Sequence, residues 1–436
     1  MSKPAGENPI AASSAKMITE IKKRDAVTPA TVRKPTAAME PSAPRGESFP
    51  EATARLRVLH VFSYLGLGGT ELTAIRVAKH LGKDRFENRL CGVRGFDPQV
   101  LSARCPDLDI VSLPIRRDKF RVQLFSLMNL IKAYRPHIVH SRNWGAIEAV
   151  PAARLAGVPI VVHSEHGYEM ETLDGLPERR RLFRRAIYAM ADAVFTVTEE
   201  LREYHARQAR ISPSRIRVIH NGIDTELFTR RPQDQGSGRE KFGIGADSLV
   251  VGSVGRLVPI KDHATLLKAA EVLVRRGVNV HVLLAGSGPE LIRHQQYLEN
   301  STALSGRVSF LGASDNVPAV LNALDVFVLS SVSEGMSNTL LEAMACSLPV
   351  VATRVGGNTE VIGDGGSGLL FAPGDVDGLA QHLERLARNE VLGRNLGLSA
   401  RQRVVSLFSL QRMIADYRHL YLELAAKRGI CAREIV

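Results

Sequence analysis

From Leu56 onward, short apolar runs rich in β-branched residues alternate with stretches of helical spacing. The runs are LRVLHVF, NRLCGV, DIVSL, HIVHS, PIVVHS, AVFTV and RIRVI in the first half, then SLVVGSVG, NVHVLLAG, RVSFLG, DVFVLS, PVVATRV and SGLLF in the second. Continuous apolar runs without strict alternation mark strands buried on both faces, and their regular interruption by helical patterns predicts parallel sheets wrapped by helices. A polar stretch from Asn221 to about Asp247, containing the Gly-rich QGSGRE, interrupts this rhythm before it resumes. The expected layout is therefore a Rossmann-like α/β domain over 55–223, a linker over 224–247 and a second such domain over 248–405. From about Val376 to Arg428 the spacing is helical with no strand, so residues 406–436 are expected to end in a helix that packs back on the first domain. Open parallel sheets bind ligands at the carboxyl ends of their strands, and two such edges facing each other make a cleft. No internal sequence repeat accompanies the repeated architecture.

Residues 1–54 are rich in Ala, Pro, Ser, Thr and Lys without periodicity, which predicts a disordered tail. Glu7, Glu20, Asp25, Glu40 and Glu47 speak against a transit peptide, because such presequences are poor in acid. With 44% hydrophobic and 23% charged residues the chain has the composition of a soluble globular protein. It carries neither a membrane-spanning apolar run nor the apolar core of a signal peptide, so the expected location is the cytoplasm. Cys91, Cys105, Cys346 and Cys431 are far apart with no C-x-x-C pair, which argues against a disulfide framework or a structural zinc site. Residues 51–223 hold 27 basic and 18 acidic groups, whereas residues 224–436 hold 22 of each. A basic first domain beside a neutral second one points either to an anionic partner or to a solvated basic surface. With one Trp, few aromatics and no recognised reading motif, nucleic acid is not the expected partner.

Three segments carry candidate chemistry. Gly66-Leu67-Gly68-Gly69-Thr70-Glu71 follows the first strand and opens a helix, where glycines let backbone amides approach an anion. As a dinucleotide fingerprint it is poor, since Glu71 stands at the sixth position and the next strand leads to Arg94 in place of an acidic ribose ligand. A turn that needs glycine only for its backbone is the alternative. Gly255-Arg256-Leu257-Val258-Pro259-Ile260-Lys261-Asp262 follows SLVVGSVG, and its two cations could neutralise a diphosphate, Arg256 as a planar fork and Lys261 as a point charge. Solvated loop charges are the alternative there. Ser333-Glu334-Gly335-Met336-Ser337-Asn338-Thr339-Leu340-Leu341-Glu342 follows DVFVLS. Its spacing predicts one carboxylate before a helix and another about two turns into it, on roughly one face, with free amides at Gly335 to Ser337 between them. Glu334 could instead only complement a helix dipole, and Glu342 could be a surface residue. Within apolar LLEAMAC, however, an unpartnered Glu342 would be costly.

Metal ligands are not expected. Asp107-Leu108-Asp109 enters a strand and Asp375-Val376-Asp377 begins a helix, so neither has the strand-end setting of a divalent cation site, and His137 and His140 point to opposite faces of one strand.

The ordered set GLGGTE, EHG, NGID, GRLVPIKD, AGSGPE, SEGMSNTLLEAMA and PVVATRVGGNTEVI resembles glycosyltransferase family 4, the retaining enzymes of GT-B fold, from about Arg57 to the end of the chain. HSRNWGAIEAVPAARLAGVP followed by HSEHGYEMETLDG is similar to a narrower branch, the sugar transferases found with exopolysaccharide export systems of PEP-CTERM type. The resemblance implies that Arg256 and Lys261 bind the donor diphosphate, that Glu334 holds the donor hexose with the amides of Gly335, Met336 and Ser337 nearby, and that Glu342 holds the nucleotide ribose. It likewise implies that Gly68 and Gly69 approach the phosphate, and that His166 of EHG lies against the transferred sugar. Met336-Ser337-Asn338 departs from the Phe-Gly or Phe-Pro pair of many members, which leaves the shape of the sugar pocket open.

The expected protein is thus a GT-B enzyme that moves a hexosyl unit from a nucleotide diphosphate sugar, UDP more than GDP, to a carbohydrate or lipid-linked acceptor of a surface glycan. No cofactor and no divalent metal are expected. A non-catalytic nucleotide-sugar sensor or scaffold, a same-fold epimerase and a glycogen-type synthase are the rivals. Arg179, Arg180, Arg181, Arg184 and Arg185, beside Leu182, Phe183 and Ile187, are read as a face that could rest on anionic lipid at the inner side of the cytoplasmic membrane, against the alternative of a solvated basic helix.

Overall fold

The computed structural model describes residues 55–66, 68–98, 101, 105–113, 120–169, 177–245 and 247–430. The tail expected over 1–54 and Cys431 lie outside these residues. Each of the thirteen apolar runs forms a strand. The first sheet contains β1 (Leu56–Phe62), β2 (Phe86–Gly92), β3 (Asp109–Ser112), β4 (Ile138–Arg142), β5 (Ile160–Glu165), β6 (Ala193–Thr196) and β7 (Ile216–Val218). The second contains β8 (Leu249–Val254), β9 (Val280–Ala285), β10 (Val308–Gly312), β11 (Val326–Leu329), β12 (Val350–Thr353) and β13 (Leu369–Phe371). Their orders are β3-β2-β1-β4-β5-β6-β7 and β10-β9-β8-β11-β12-β13, with every pairing parallel. Strand order reverses between β1 and β4 in one sheet and between β8 and β11 in the other. Those switch points are where such sheets leave a crevice, and three of the four singled-out strand ends (β1, β8 and β11) lie at them.

Helices α1 (Gly69–His80), α2 (Phe120–Tyr134), α3 (Ala149–Leu155), α4 (Glu178–Met190) and α5 (Glu199–Ala209) belong to the first half. Then come α6 (Pro232–Lys241), α7 (His263–Arg275), α8 (Leu291–Glu299), α9 (Val317–Ala323), α10 (Asn338–Ala345), α11 (Gly357–Ile362), α12 (Val376–Ala387), α13 (Glu390–Leu407) and α14 (Leu410–Lys427). Period-two alternation sends neighbouring residues of β1 to opposite faces. Leu59 and Val61 join Leu127 of α2, Val150 of α3 and Ile187 of α4. Val58 joins Val77 of α1 together with Met413, Ile414, Tyr417, Leu420, Tyr421 and Leu424, all from α14. The last helix therefore covers the back of the first sheet. The chain crosses at a narrow seam, where the Ile223 amide donates to Phe408 O (2.9 Å) and the Leu410 amide donates to Ile223 O (2.9 Å).

The stretch expected to be a plain linker differs from expectation, because residues 232–241 form α6. Gly236 and Gly238 give it poor intrinsic helix propensity, and tertiary bonds hold it instead. Arg239 Nε donates to Ala323 O (3.0 Å) and Gln235 Nε2 donates to Asp325 Oδ1 (3.1 Å), which fix α6 against the end of α9.

Candidate functional site

The site is built around the loop that leaves β11. Ser331 Oγ donates to Glu334 Oε1 (2.6 Å), and Lys261 Nζ pairs with the same oxygen. Lys261 reaches it because its own loop, which leaves β8, is laced to this one: Ser330 Oγ donates to Lys261 O (3.0 Å), and the Val332 amide donates to Ile260 O (2.9 Å). Next along the loop, Gly335 lies so close to the first domain that a Cβ there would fall 2.2 Å from His166 O. On its other side the Gly357 amide donates to Gly335 O (3.0 Å). Any side chain at Gly335 would have to push the two domains apart. Met336 is buried, with Asn221 Nδ2 donating to its carbonyl (3.3 Å). Ser337 Oγ accepts from the Leu340 amide (3.3 Å) and caps α10, a contact typically worth about 1 kcal/mol. The amides of Gly335, Met336 and Ser337 donate to no acceptor among the described residues, so three N–H groups at a helix N-terminus remain for an anion.

Helix α10 begins at Asn338, so Glu342 is little more than one turn into it, and Glu334 lies wholly in the loop. The expectation of two full turns is corrected accordingly. Glu342 is buried, and its partner is Arg76 of α1, whose Nη2 donates to Oε1 at 2.8 Å. Burial pushes the Glu342 carboxyl up, and the Arg76 charge and bond pull it back. Asn338 Nδ2 extends the same contact, donating to Gly69 O (3.2 Å) and Thr73 Oγ1 (3.3 Å). Gly68 precedes α1 against the Glu71 carboxylate, which a Cβ on Gly68 would meet at 2.3 Å from Oε2. Burial raises Glu71, while the charges of Arg256 and Arg142 oppose the rise. The second domain's Arg256, exposed and without an ion pair among the described residues, thus acts across the boundary on the first domain's Glu71.

Behind His166 lies a buried polar seam. The His166 amide donates to Asn143 Oδ1 (2.8 Å), and its Nε2 meets Ser164 Oγ at 2.9 Å. Burial first, then the Arg142 charge, push His166 down to about 3, so its imidazole is neutral at physiological pH. The same two causes hold His60 at about 3 and His140 well below the usual range. Burial also holds His205 down at about 4, and His263 down at about 3. Glu165 is fully enclosed. Burial alone would raise it, but His205, His163 and Arg184 hold it well below the carboxylate range.

Arg184 corrects the reading of the arginine run. It is fully buried, donating to Glu165 Oε1 (3.2 Å) and Tyr188 Oη (3.3 Å), pairing with Glu169, and lying over the Trp144 ring at 4.5 Å. Arg180 pairs with Glu169 at 2.7 Å and also covers Trp144. Arg181 is half-buried, and Arg179 and Arg185, with the exposed Leu182 and Phe183, remain on the outer side of α4. A lone structural pair inside a run of arginines has no sequence signature.

Arg256, Lys261, Glu334, Gly335, Met336, Ser337 and Glu342 are brought together with Gly68, Gly69 and His166 at one interdomain boundary. Asn338 of the same segment joins them through Gly69 and Thr73, and Arg76 and Asn143 belong there too and were missed. Asn143 left a trace, as an Asn at the very end of a strand, where it adopts φ 58°. Arg76 left only a charge interrupting the apolar face of α1. The two D-x-D pairs stand apart: Asp109 pairs with Arg89 at 2.5 Å, and Asp375 caps α12 through the Gly378 amide (2.9 Å). Among the described residues, no three His, Cys, Asp or Glu side chains are grouped to hold a metal ion, and no helix is long and apolar enough to cross a membrane.

With this geometry in view, residues 67–227 match the family model "Glycosyltransferase Family 4" and residues 248–389 match "Glycosyl transferases group 1". Bacillus subtilis (strain 168) glycosyltransferase EpsF is 30% identical over 390 residues, spanning 84% of this chain and 99% of that protein. The chain belongs to glycosyltransferase family 4. The family 4 chain is also 28% identical over 387 residues to the Escherichia coli UDP-Gal:alpha-D-GlcNAc-diphosphoundecaprenol alpha-1,3-galactosyltransferase, covering 86% of this chain and 99% of the relative. The solved structure of Anabaena HepE in complex with UDP and glucose superposes with a TM-score of 0.71 at 21% identity, covering 84% of this chain and 100% of that one. That likeness gives the GT-B fold. The protein is a glycosyltransferase.

The buried histidines of this family 4 protein make its stability depend on pH. A histidine whose pKa is depressed in the folded state binds protons only on unfolding, so its stabilisation is complete above about 6.5 and falls away as the pH drops toward the folded value. His60, His140, His166, His205 and His263 all act in this sense, each costing on the order of 1 kcal/mol between pH 7.5 and 5.5, while Glu71 and Glu342, raised by burial, oppose them in part. Thermal unfolding followed by circular dichroism should show Tm falling steadily over that range, and a flat profile would mean that these rings are solvated.

Proposed function

We propose that this glycosyltransferase is a retaining, metal-independent enzyme that transfers a hexosyl unit from a UDP-sugar to a carbohydrate or lipid-linked acceptor in the synthesis of exopolysaccharide or another surface glycan. One observation carries the reading. Two cations, three free helix-terminal amides and two carboxylates meet around a single loop, and the first domain's His166 is pressed against it. A nucleotide diphosphate sugar needs just this distribution, with positive charge for the diphosphate and a carboxylate for hydroxyls at each end. The names of relatives agree in kind, since the E. coli protein is named for a UDP-Gal donor and a diphosphoundecaprenol acceptor, and the HepE structure holds UDP and glucose.

In the proposed complex Glu342 exchanges Arg76 for the ribose hydroxyls, and the amides of Gly335 to Ser337 and the cations Arg256 and Lys261 face the diphosphate. Glu334 accepts hydroxyl protons of the hexose, and its orientation is held by Lys261 and Ser331. As the glycosidic bond to the diphosphate breaks, negative charge grows on the leaving oxygen. Arg256, Lys261 and the amides supply the positive charge and donors that stabilise it. The acceptor hydroxyl attacks from the same face, and the departing phosphate takes its proton, which accounts for retention without a covalent nucleophile. Gly68 and Gly69 bring the start of α1 close to the phosphate. The outer side of α4, through Arg179 and Arg185 with Leu182 and Phe183, contacts anionic lipid and brings a lipid-linked acceptor to the cleft.

Arg256→Ala should lower turnover about a hundredfold or more with unchanged Tm, and turnover near that of the parent enzyme would remove Arg256 from its role. The transferred sugar should keep the donor's anomeric configuration by proton NMR with EDTA present; inversion, or activity abolished by EDTA, would contradict the mechanism. For the membrane contact, the protein should co-sediment with vesicles containing phosphatidylglycerol at low salt. Arg179→Glu/Arg185→Glu should remain in the supernatant, and equal partition of both proteins would refute it.

A further inference from the structure

Helix α14 contributes more than packing to the first domain. Tyr421 Oη lies 2.7 Å from His140 Nδ1, His140 Nε2 lies 2.9 Å from Ser164 Oγ, and Ser164 Oγ lies 2.9 Å from His166 Nε2. Tyr421, His140 and Ser164 are completely buried. This unbroken line joins the last helix of the chain to the residue pressed against the donor loop.

We propose that Tyr421, acting through His140 and Ser164, fixes His166 in the tautomer that carries its proton on Nδ1, making it a hydrogen-bond donor toward the transferred sugar. The direction toward the sugar rests on the UDP-sugar reading above; the tautomer does not. Each hydroxyl and each neutral imidazole in the line owns a single proton, so the three bonds must share one sense. In the forward sense Tyr421 donates to His140 Nδ1, His140 Nε2–H donates to Ser164, and Ser164 donates to His166 Nε2. In the reverse sense the Tyr421 proton has no acceptor among the described residues, and a break of sense at Ser164 strands that hydroxyl's proton instead. Either leaves two buried groups unmatched, a hydroxyl proton and the His166 Nδ1 lone pair, whereas the forward sense leaves only His166 Nδ1–H.

Arg142 decides between them as well. Its guanidinium can only donate, and Nη1 lies 3.0 Å from His60 Nδ1. Its charge acts on both Tyr417 and Tyr421. A fixed cation beside the Tyr421 oxygen turns the oxygen toward itself and the proton away, toward His140. The same logic sets His60, which must accept on Nδ1 from Arg142 and therefore donates through Nε2 to Asn88 Oδ1 (3.0 Å). In the forward sense the one unmatched polar group in the line is His166 Nδ1–H, and Nδ1 is a buried atom with no partner among the described residues. Tyr421, His140 and Ser164 are thus positioning residues, and α14 couples the end of the chain to the reacting centre.

The test is nitrogen-15 NMR of the full-length protein labelled at histidine, with the His166 signals assigned by their loss in His166→Gln. Two-bond proton–nitrogen correlations at pH 7.5 should show wild-type His166 in the Nδ1–H tautomer. Tyr421→Phe and Ser164→Ala should each shift it toward the Nε2–H form, and Ser164→Thr, which keeps the hydroxyl, should restore it. A wild-type His166 in the Nε2–H form overturns the proposal, as does a pure Nδ1–H form in folded Tyr421→Phe and Ser164→Ala. If either variant fails to fold, the wild-type spectrum and the remaining variant still decide. No substrate enters the experiment, so its failure is distinct from failure of the UDP-sugar reading, which shows in UDP binding.

Discussion

Everything at the site depends on the absence of a side chain at Gly335. With a hydrogen in place of Cβ, the loop after β11 presses on the backbone of His166 from one side and on Gly357 from the other. That contact brings the second domain's carboxylates within reach of the first domain's α1 and β5. It also lets Arg76 find Glu342 and Asn338 find Gly69 across the boundary. A methyl group at this position would widen the gap and disconnect the two halves of the site without altering either sheet.

The cost of this arrangement is a large number of buried polar groups in the first domain. Breaking a buried ion pair typically costs about 3–5 kcal/mol, since it leaves a charge uncompensated, and Arg184 with Glu165 and Glu169 is such a group. The seam from Arg142 to Tyr421 is different in kind, being made largely of neutral histidines and hydroxyls kept neutral by burial and by one central cation. Such a network has direction as well as stability, and direction is what the role proposed for His166 requires. It also explains why a helix from the far end of the chain closes the first sheet: α14 supplies both the apolar face that Val58 and Phe195 need and the tyrosine that begins the line.

Much of this was legible in the order of residues. Parallel strands covered on both faces must be continuously apolar, so all thirteen stood out, and Ser333 to Glu342 announced itself because a carboxylate inside LLEAMAC demands a partner. What that partner is in the free chain could not be read: Arg76 is 266 positions away, and its pairing is a property of the domain interface. Arg184 was indistinguishable from its four neighbours in the run, because burial of one arginine in five is decided by where α4 meets β5 and Trp144. Helix α6, polar and glycine-containing, was read as linker since its stability comes from α9 and Asp325 and hardly at all from its own composition. Local chemistry was visible in the sequence; contacts between distant elements were not.

The central claim is that a nucleotide diphosphate binds this interdomain boundary with its ribose on Glu342. Calorimetric titration of UDP and of GDP, with EDTA present, into the protein and into Glu342→Ala tests it directly without knowledge of sugar or acceptor. A charge-assisted bond to the ribose is worth roughly 1.5 to 3 kcal/mol, so UDP should bind the parent protein and lose about tenfold or more in affinity in Glu342→Ala. Absence of binding by either nucleotide, or binding that Glu342→Ala leaves unchanged, would contradict it.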